Sequence, residues 1–141
     1  MVMRCAPKRS TIRPAGTPVS AATINLLNLA LGDHVFAATA IDAAGNSSVM
    51  SVPFRVTATI DSLIDAVRSY AAAGAIDSGS YRSLMAKLTD AKDAYSRGNL
   101  VAARGKLRDF INQCGASSGG GITPAAANVL IADAQWVLDR L

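Results

Sequence analysis

The sequence predicts a mainly α protein: an antiparallel four-helix bundle preceded by a short partial β-sandwich fragment of two to three strands. Three observations carry this. Between residues 58 and 141, four segments place apolar side chains at three- and four-residue steps, which is one face of a helix. Short links separate those segments, so successive helices must fold back on one another. Upstream, HVFAATAI alternates with the two-residue period of a strand and is bounded by the turn signals LGDH and DAAGN. Three regions follow: a basic lead-in over 1–21, a β segment over 22–57 and a helical bundle over 58–141.

The lead-in, MVMRCAPKRSTIRPAGTPVSA, has three prolines and no usable period, and reads as extended or disordered. The β segment reads as a hairpin, Val35–Ile41 against Val49–Val56, with a short strand near Ile24–Leu27 before it. Pro53 has no N–H for a sheet ladder, so its side should face an edge or a bulge.

The first helix is predicted over 58–76. Thr59 is its N-cap, Asp61 sits in the first turn where the helix dipole favours an anion, and Gly74 stops it. Its stripe is Ile60, Leu63, Ile64, Val67, Tyr70 and Ala71. The second, over 77–98, begins near Ser78 to Ser80, carries Tyr81, Leu84, Met85, Leu88, Ala91 and Tyr95, and stops at Gly98. Asn99 then caps the third, which runs from Leu100 to Gln113 or a little beyond with Leu107, Phe110, Ile111 and Cys114 inward. The tract GASSGGG reads as a flexible linker, since consecutive glycines are costly inside a helix. Thr123 caps the fourth helix, Pro124 fits its first position, and Ile122 can staple back on Ala127. Leu130, Ile131, Ala134, Val137, Leu138 and Leu141 mark its inner face.

Composition excludes several classes. The net charge is +4, yet of fourteen basic residues Arg4, Lys8, Arg9 and Arg13 fall in the first twenty, leaving ten to face ten aspartates. A nucleic-acid binder carries its charge on a folded face, so no nucleic-acid partner is expected. No apolar run approaches the roughly 18 residues of a membrane span. MVMRCAPKRSTIRPAG has basic residues but no apolar signal core, so the chain taken alone is expected in the cytoplasm.

Candidate chemistry is sparse. Cys5 and Cys114 make no disulfide framework. A catalytic Cys114 would need a His partner, and the single His34 lies in the β region, so a buried free thiol is expected. Asp42 and Asn46 flank a Gly turn and could offer oxygens to calcium, but turn chemistry alone accounts for both. Asp61, Asp65, Asp90 and Asp93 fall on solvent faces near Lys or Arg, as surface ion pairs do. Trp136 could stack on a sugar, although a single aromatic on a helix flank is more often partial core. The Gly tract is no phosphate loop, because no Gly-Lys-Ser/Thr follows it. No catalytic, cofactor or metal residue is therefore assigned, and no cofactor is expected.

Gly32, His34, Ala40, Asp42, Ala44, Gly45 and Asn46 carry a pattern that resembles the last strands of a bacterial immunoglobulin-like domain. Downstream, TATIDSLIDAVRSY, IDSGSYRSLMAKLTDAKDAYSRGN and LRDFINQCGASSGGGITPAAANVLIADA arrive in order through residues 57–141. This combination resembles the FIMAH domain, a helical module near the C-termini of large extracellular bacterial proteins, often hydrolases. The resemblance implies a non-catalytic accessory module of a secreted multidomain protein. Its role would be protein–protein contact, attachment to the cell surface or to glycans, or spacing. It implies partners among the other domains of that protein, surface proteins or glycans, and an extracellular location within the parent. The isolated chain would be a monomer or a weak dimer through β edges. The alternative is a cytoplasmic adaptor, since AYSRGNLVAARGKL resembles part of a tetratricopeptide-type hairpin. A solenoid needs repeats of about 34 residues, and no second copy occurs. A closed four-helix core would oppose the adaptor; a groove of exposed side chains would favour it.

Overall fold

Each helix begins where a side chain captures a backbone amide that the helix itself leaves free. In the computed structural model, which describes residues 2–5, 22–25 and 29–141, α1 spans Ile60–Ala72, α2 Ser78–Ser96, α3 Leu100–Ser117 and α4 Pro124–Leu138. Thr59 opens α1 with a capping box: its hydroxyl accepts from the Ser62 amide at 3.1 Å, and the Ser62 hydroxyl accepts from the Thr59 amide at 2.8 Å. The Asp77 carboxylate accepts from the Ser80 amide at 2.6 Å and opens α2. Asn99 and Thr123 do the same for α3 and α4, with Pro124 following at the first helical position. Gly74 and Gly98 adopt φ of +74° and +73°, the left-handed conformation that ends a helix without a Cβ penalty.

The chain divides into two units, Met1–Val56 and Thr57–Leu141. In the second, α1 packs on α2, α2 on α3, α3 on α4 and α4 back on α1, so the bundle closes. Leu63, Val67, Leu84, Leu88, Phe110 and Leu130 form the centre of its core, each at most 1 % exposed. Ala66, Ala91, Ala103, Ala127 and Ala134 are equally buried, and their small side chains let the helices approach closely. The predicted stripes hold with two differences. Ala66, Ala94, Ala103, Ala126 and Ala127 are also buried. Tyr95 is 52 % exposed. It lies in the last turn of α2, at the end of the bundle, and the small Ala94 takes the inward place beside it.

The flexible linker expected at GASSGGG is corrected. Helix α3 continues through Gly115 to Ser117, and an ordered turn follows. The Ile122 amide donates to the Ser117 carbonyl at 3.0 Å, and the Gly119 amide to the Ile122 carbonyl at 2.8 Å. This turn then pairs with the α1–α2 turn. The Asp77 amide donates to the Gly121 carbonyl at 2.8 Å, and the Thr123 amide to the Ala75 carbonyl at 2.9 Å. Ile76 and Ile122 face each other between these bonds as one antiparallel bridge, 4 % and 1 % exposed. Backbone groups that the composition suggested were solvated thus have protein partners.

In the first unit, β1 (Val2–Cys5) pairs antiparallel with β2 (Ala22–Asn25), and β3 (Gly32–Ile41) with β4 (Ser47–Val56). Two expectations change. Val2–Cys5 is a strand and not part of a disordered lead-in; the remaining lead-in residues, 6–21, lie outside the described residues. The short strand begins two residues earlier than predicted, and its ladder partner among the described residues is β1 and not the hairpin. The result is two two-stranded sheets in place of one three-stranded piece. Of the four residues of β1 only Val2 favours strands by propensity, so its pairing with β2 was not visible in local composition. The hairpin forms as predicted, closed by the Asp42–Asn46 turn. Asp33 and Arg55 pair across the strands at 2.6 Å, and the His34 ring stacks on Phe54 with 5.5 Å between centroids.

Leu130 is fully buried, so Leu130→Ala is expected to lower the unfolding free energy by about 2–5 kcal/mol in urea titrations. A Cβ on Gly121 would lie 2.7 Å from Asp77 Oδ2 and closer still to Ser80 Oγ. Gly121→Ala is therefore expected to cost about 1–2 kcal/mol in the same titration, because the Ser80 hydroxyl must rotate away and the Asp77 cap of α2 must shift.

Candidate functional site

Antiparallel α3 and α4 leave a shallow groove of about 390 Å³ along their outer face. Residues four apart on a helix point the same way, so Arg104, Arg108 and Asn112 form one wall along α3. Gln135 on α4 and Asp139 at its C-cap line the other side, and Ile111 with Leu138 supplies the apolar floor. The Arg104 guanidinium donates to the Leu138 carbonyl at 3.4 Å, one of the end carbonyls that α4 cannot satisfy itself. The Gln135 amide group donates to Asp139 Oδ1 at 2.9 Å, which fixes the second wall. Neither arginine forms an ion pair among the described residues. The sequence reading did not find this groove. Its signal was the one-turn spacing of Arg104, Arg108 and Asn112, but only the packed structure brings Gln135 and Asp139 opposite.

The residues weighed from sequence are not brought together. Asp61 pairs with Lys92 at 2.6 Å, Asp90 with Lys106 at 2.9 Å and Asp65 with Arg68 at 3.6 Å, all on exposed side chains. Such pairs contribute little to stability. Asp93 is exposed, and its carbonyl accepts from the Ser96 hydroxyl. Trp136 is half-buried, and the Arg140 guanidinium lies 3.4 Å from its ring centroid, covering one face that a sugar would need. Cys114 is fully buried, and burial pushes its thiol up to about 12, so it stays protonated at neutral pH. His34 belongs to the other unit and hydrogen-bonds the Ala30 carbonyl at 2.7 Å. Asp42 Oδ1 accepts from the Ala44 and Asn46 amides, and Oδ2 from the Asn46 side chain, each at 2.9 Å. The Asn46 side-chain bond is the main cause of its lowered carboxyl pKa. Both oxygens are committed to the turn. Among the described residues no group of three or more His, Cys, Asp or Glu is placed to hold a metal.

One titratable group is set apart on the α1–α4 side. Asp133 is half-buried, and burial raises its carboxyl above the ordinary value. Tyr70 on α1 is shifted up as well, first by burial and second by the Asp133 charge.

A closed bundle of four short helices with a polar outer groove defines a small helical module. Residues 60–139 match the family model of the FIMAH domain, from the first residue of α1 to just past the end of α4. The match covers more than half of the chain, and the chain belongs to the FIMAH family, an accessory domain family of larger bacterial proteins and not a catalytic one. No curated protein and no solved structure gives a significant match to the chain.

Because folding raises the Asp133 pKa, the protonated form favours the fold. Stability from this group is present at pH below the ordinary value of 3.8 and is lost as the pH rises through the folded-state pKa. Asp133→Asn is therefore expected to be more stable than the parent at pH 7, with the gain vanishing below about pH 4. Thermal melts of both proteins across that range measure it.

Proposed function

We propose that this chain is an attachment module from the C-terminal part of a secreted bacterial multidomain protein, often a hydrolase, and works outside the cell as part of that parent. Its task is to hold the parent at a surface while another domain does the chemistry. The observation that carries this is the FIMAH match across all four helices. Two features support it. Of the residues weighed for chemistry, Asp61, Asp65 and Asp90 form surface ion pairs, Asp42 and Asn46 build a turn, and Cys114 is a buried thiol. The closed core supports it over a tetratricopeptide-type adaptor, which keeps a helical face open for its ligand.

Fluorescently labelled full chain, incubated with intact bacterial cells and with purified cell-wall sacculi, tests the reading by co-sedimentation. Saturable binding to either is the expected result. A chain that stays in the supernatant at every concentration contradicts attachment.

A further inference from the structure

Five of the eight large apolar side chains that stand exposed among the described residues lie on the β3–β4 hairpin: Val35, Ile41, Val49, Met50 and Val52. A two-stranded hairpin is marginal in water by itself, so its edges matter. The Asp42 amide donates to the Asn46 carbonyl at 2.9 Å, which sets the alternation of the ladder. Even-numbered residues of β3 exchange their bonds with β4, and odd-numbered ones turn theirs outward. Pro53, opposite Val35, fits this alternation, since it has no N–H to give inward. The donors on the outer edge of β4 are therefore broken at Pro53, and Arg55 adds a charge two residues on. Both are ways in which natural sheets guard an edge. On β3, Asp33, Val35, Ala37, Thr39 and Ile41 turn their N–H and C=O groups outward with no Pro or Lys among them. Among the described residues β1 and β2 pair with each other, and no strand pairs with this edge.

We propose that the outer edge of β3 pairs antiparallel with the same edge of a second copy, joining two hairpins into a four-stranded sheet. A strand that pairs antiparallel with its own copy does so about a two-fold axis, so the contact closes. Outward residues must meet outward residues, and an axis through Ala37 engages all five of them. Val35 then lies opposite Thr39 of the second copy, a β-branched pair. Phe36 lies opposite Ala38 of the second copy, whose small side chain leaves the ring room. Asp33 is the only residue of β3 charged at neutral pH. It meets Ile41 of the second copy and keeps Arg55 beside it on its own hairpin at 2.6 Å, so no like charges face each other. This self-match selects a second copy as the occupant: the register that engages every outward group also sets large against small and charge against neutral. One ten-residue strand pair is small beside the roughly 1,200–2,000 Å² of stable interfaces, so the association is weak.

The test is sedimentation equilibrium of the full chain at rising concentration, read together with amide hydrogen exchange. The mass is expected to move from one copy toward two, with the Val35, Ala37 and Thr39 amides gaining protection in step. Ala37→Pro removes an outward N–H and should weaken association about tenfold, while the Phe36 and Ala38 amides, which bond β4, keep their protection. Val35→Lys, at a side chain 65 % exposed in one copy, guards the edge without touching the backbone and should weaken association as well. Ser51→Pro makes the same change on the outer edge of β4 and should leave association unaltered. A chain that stays monomeric at every concentration, a dimer that persists in both Ala37→Pro and Val35→Lys, or protection gained on the helices and not on β3 would each overturn the proposal. Attachment to sacculi by a monomeric chain would sink the dimer and leave the attachment reading standing. A dimer that attaches to no surface does the reverse.

Discussion

Two backbone hydrogen bonds join the α1–α2 turn to the α3–α4 turn, and the closed bundle depends on them. Asp77 to Gly121 and Thr123 to Ala75 flank the buried pair Ile76 and Ile122. The α2–α3 connection is so short that it fixes those two helices as a hairpin by itself. Helices α1 and α4 have no such covalent neighbour in each other, and the paired turns tie their ends together. Once that end is closed, α4 lies along both α1 and α3, and the outer groove between α3 and α4 takes its shape.

The same constraint bears on Gly121. The turn after α3 must pass against the N-cap of α2, where Asp77 and Ser80 already occupy the space that a side chain on residue 121 would need. A Cβ there would displace the Ser80 hydroxyl and disturb the Asp77 cap, whereas a reading from composition sees only flexibility. Local backbone chemistry was otherwise legible. The caps Thr59, Asn99 and Thr123, the stops Gly74 and Gly98, and most of the apolar stripes follow from rules that act within one helical turn. What escaped depends on contacts distant in sequence. Val2–Cys5 is a strand because Ala22–Asn25 lies beside it, and Tyr95 is exposed because the bundle ends at its turn.

The candidate site was less legible for the same reason. Arg104 and Arg108 are visible as a one-turn pair, but their meaning comes from Gln135 and Asp139, which only packing places opposite. Of the carboxylates that sequence singled out, Asp61, Asp65 and Asp90 pair with Lys or Arg on exposed faces, Asp42 closes a turn and Asp93 is exposed. The family match spans residues 60–139 and identifies the bundle, whereas a site on its outer face has to be argued from its own side chains.

The claim that the paired turns hold the bundle closed is tested most directly by native-state hydrogen exchange of individual amides. If it is right, the Asp77 and Thr123 amides exchange only by global unfolding, with the same protection as Leu88 and Leu130 in the core. Exchange of those two amides at the rate of an exposed loop, while Leu88 and Leu130 stay protected, would show that the bundle closes without them and would contradict the account.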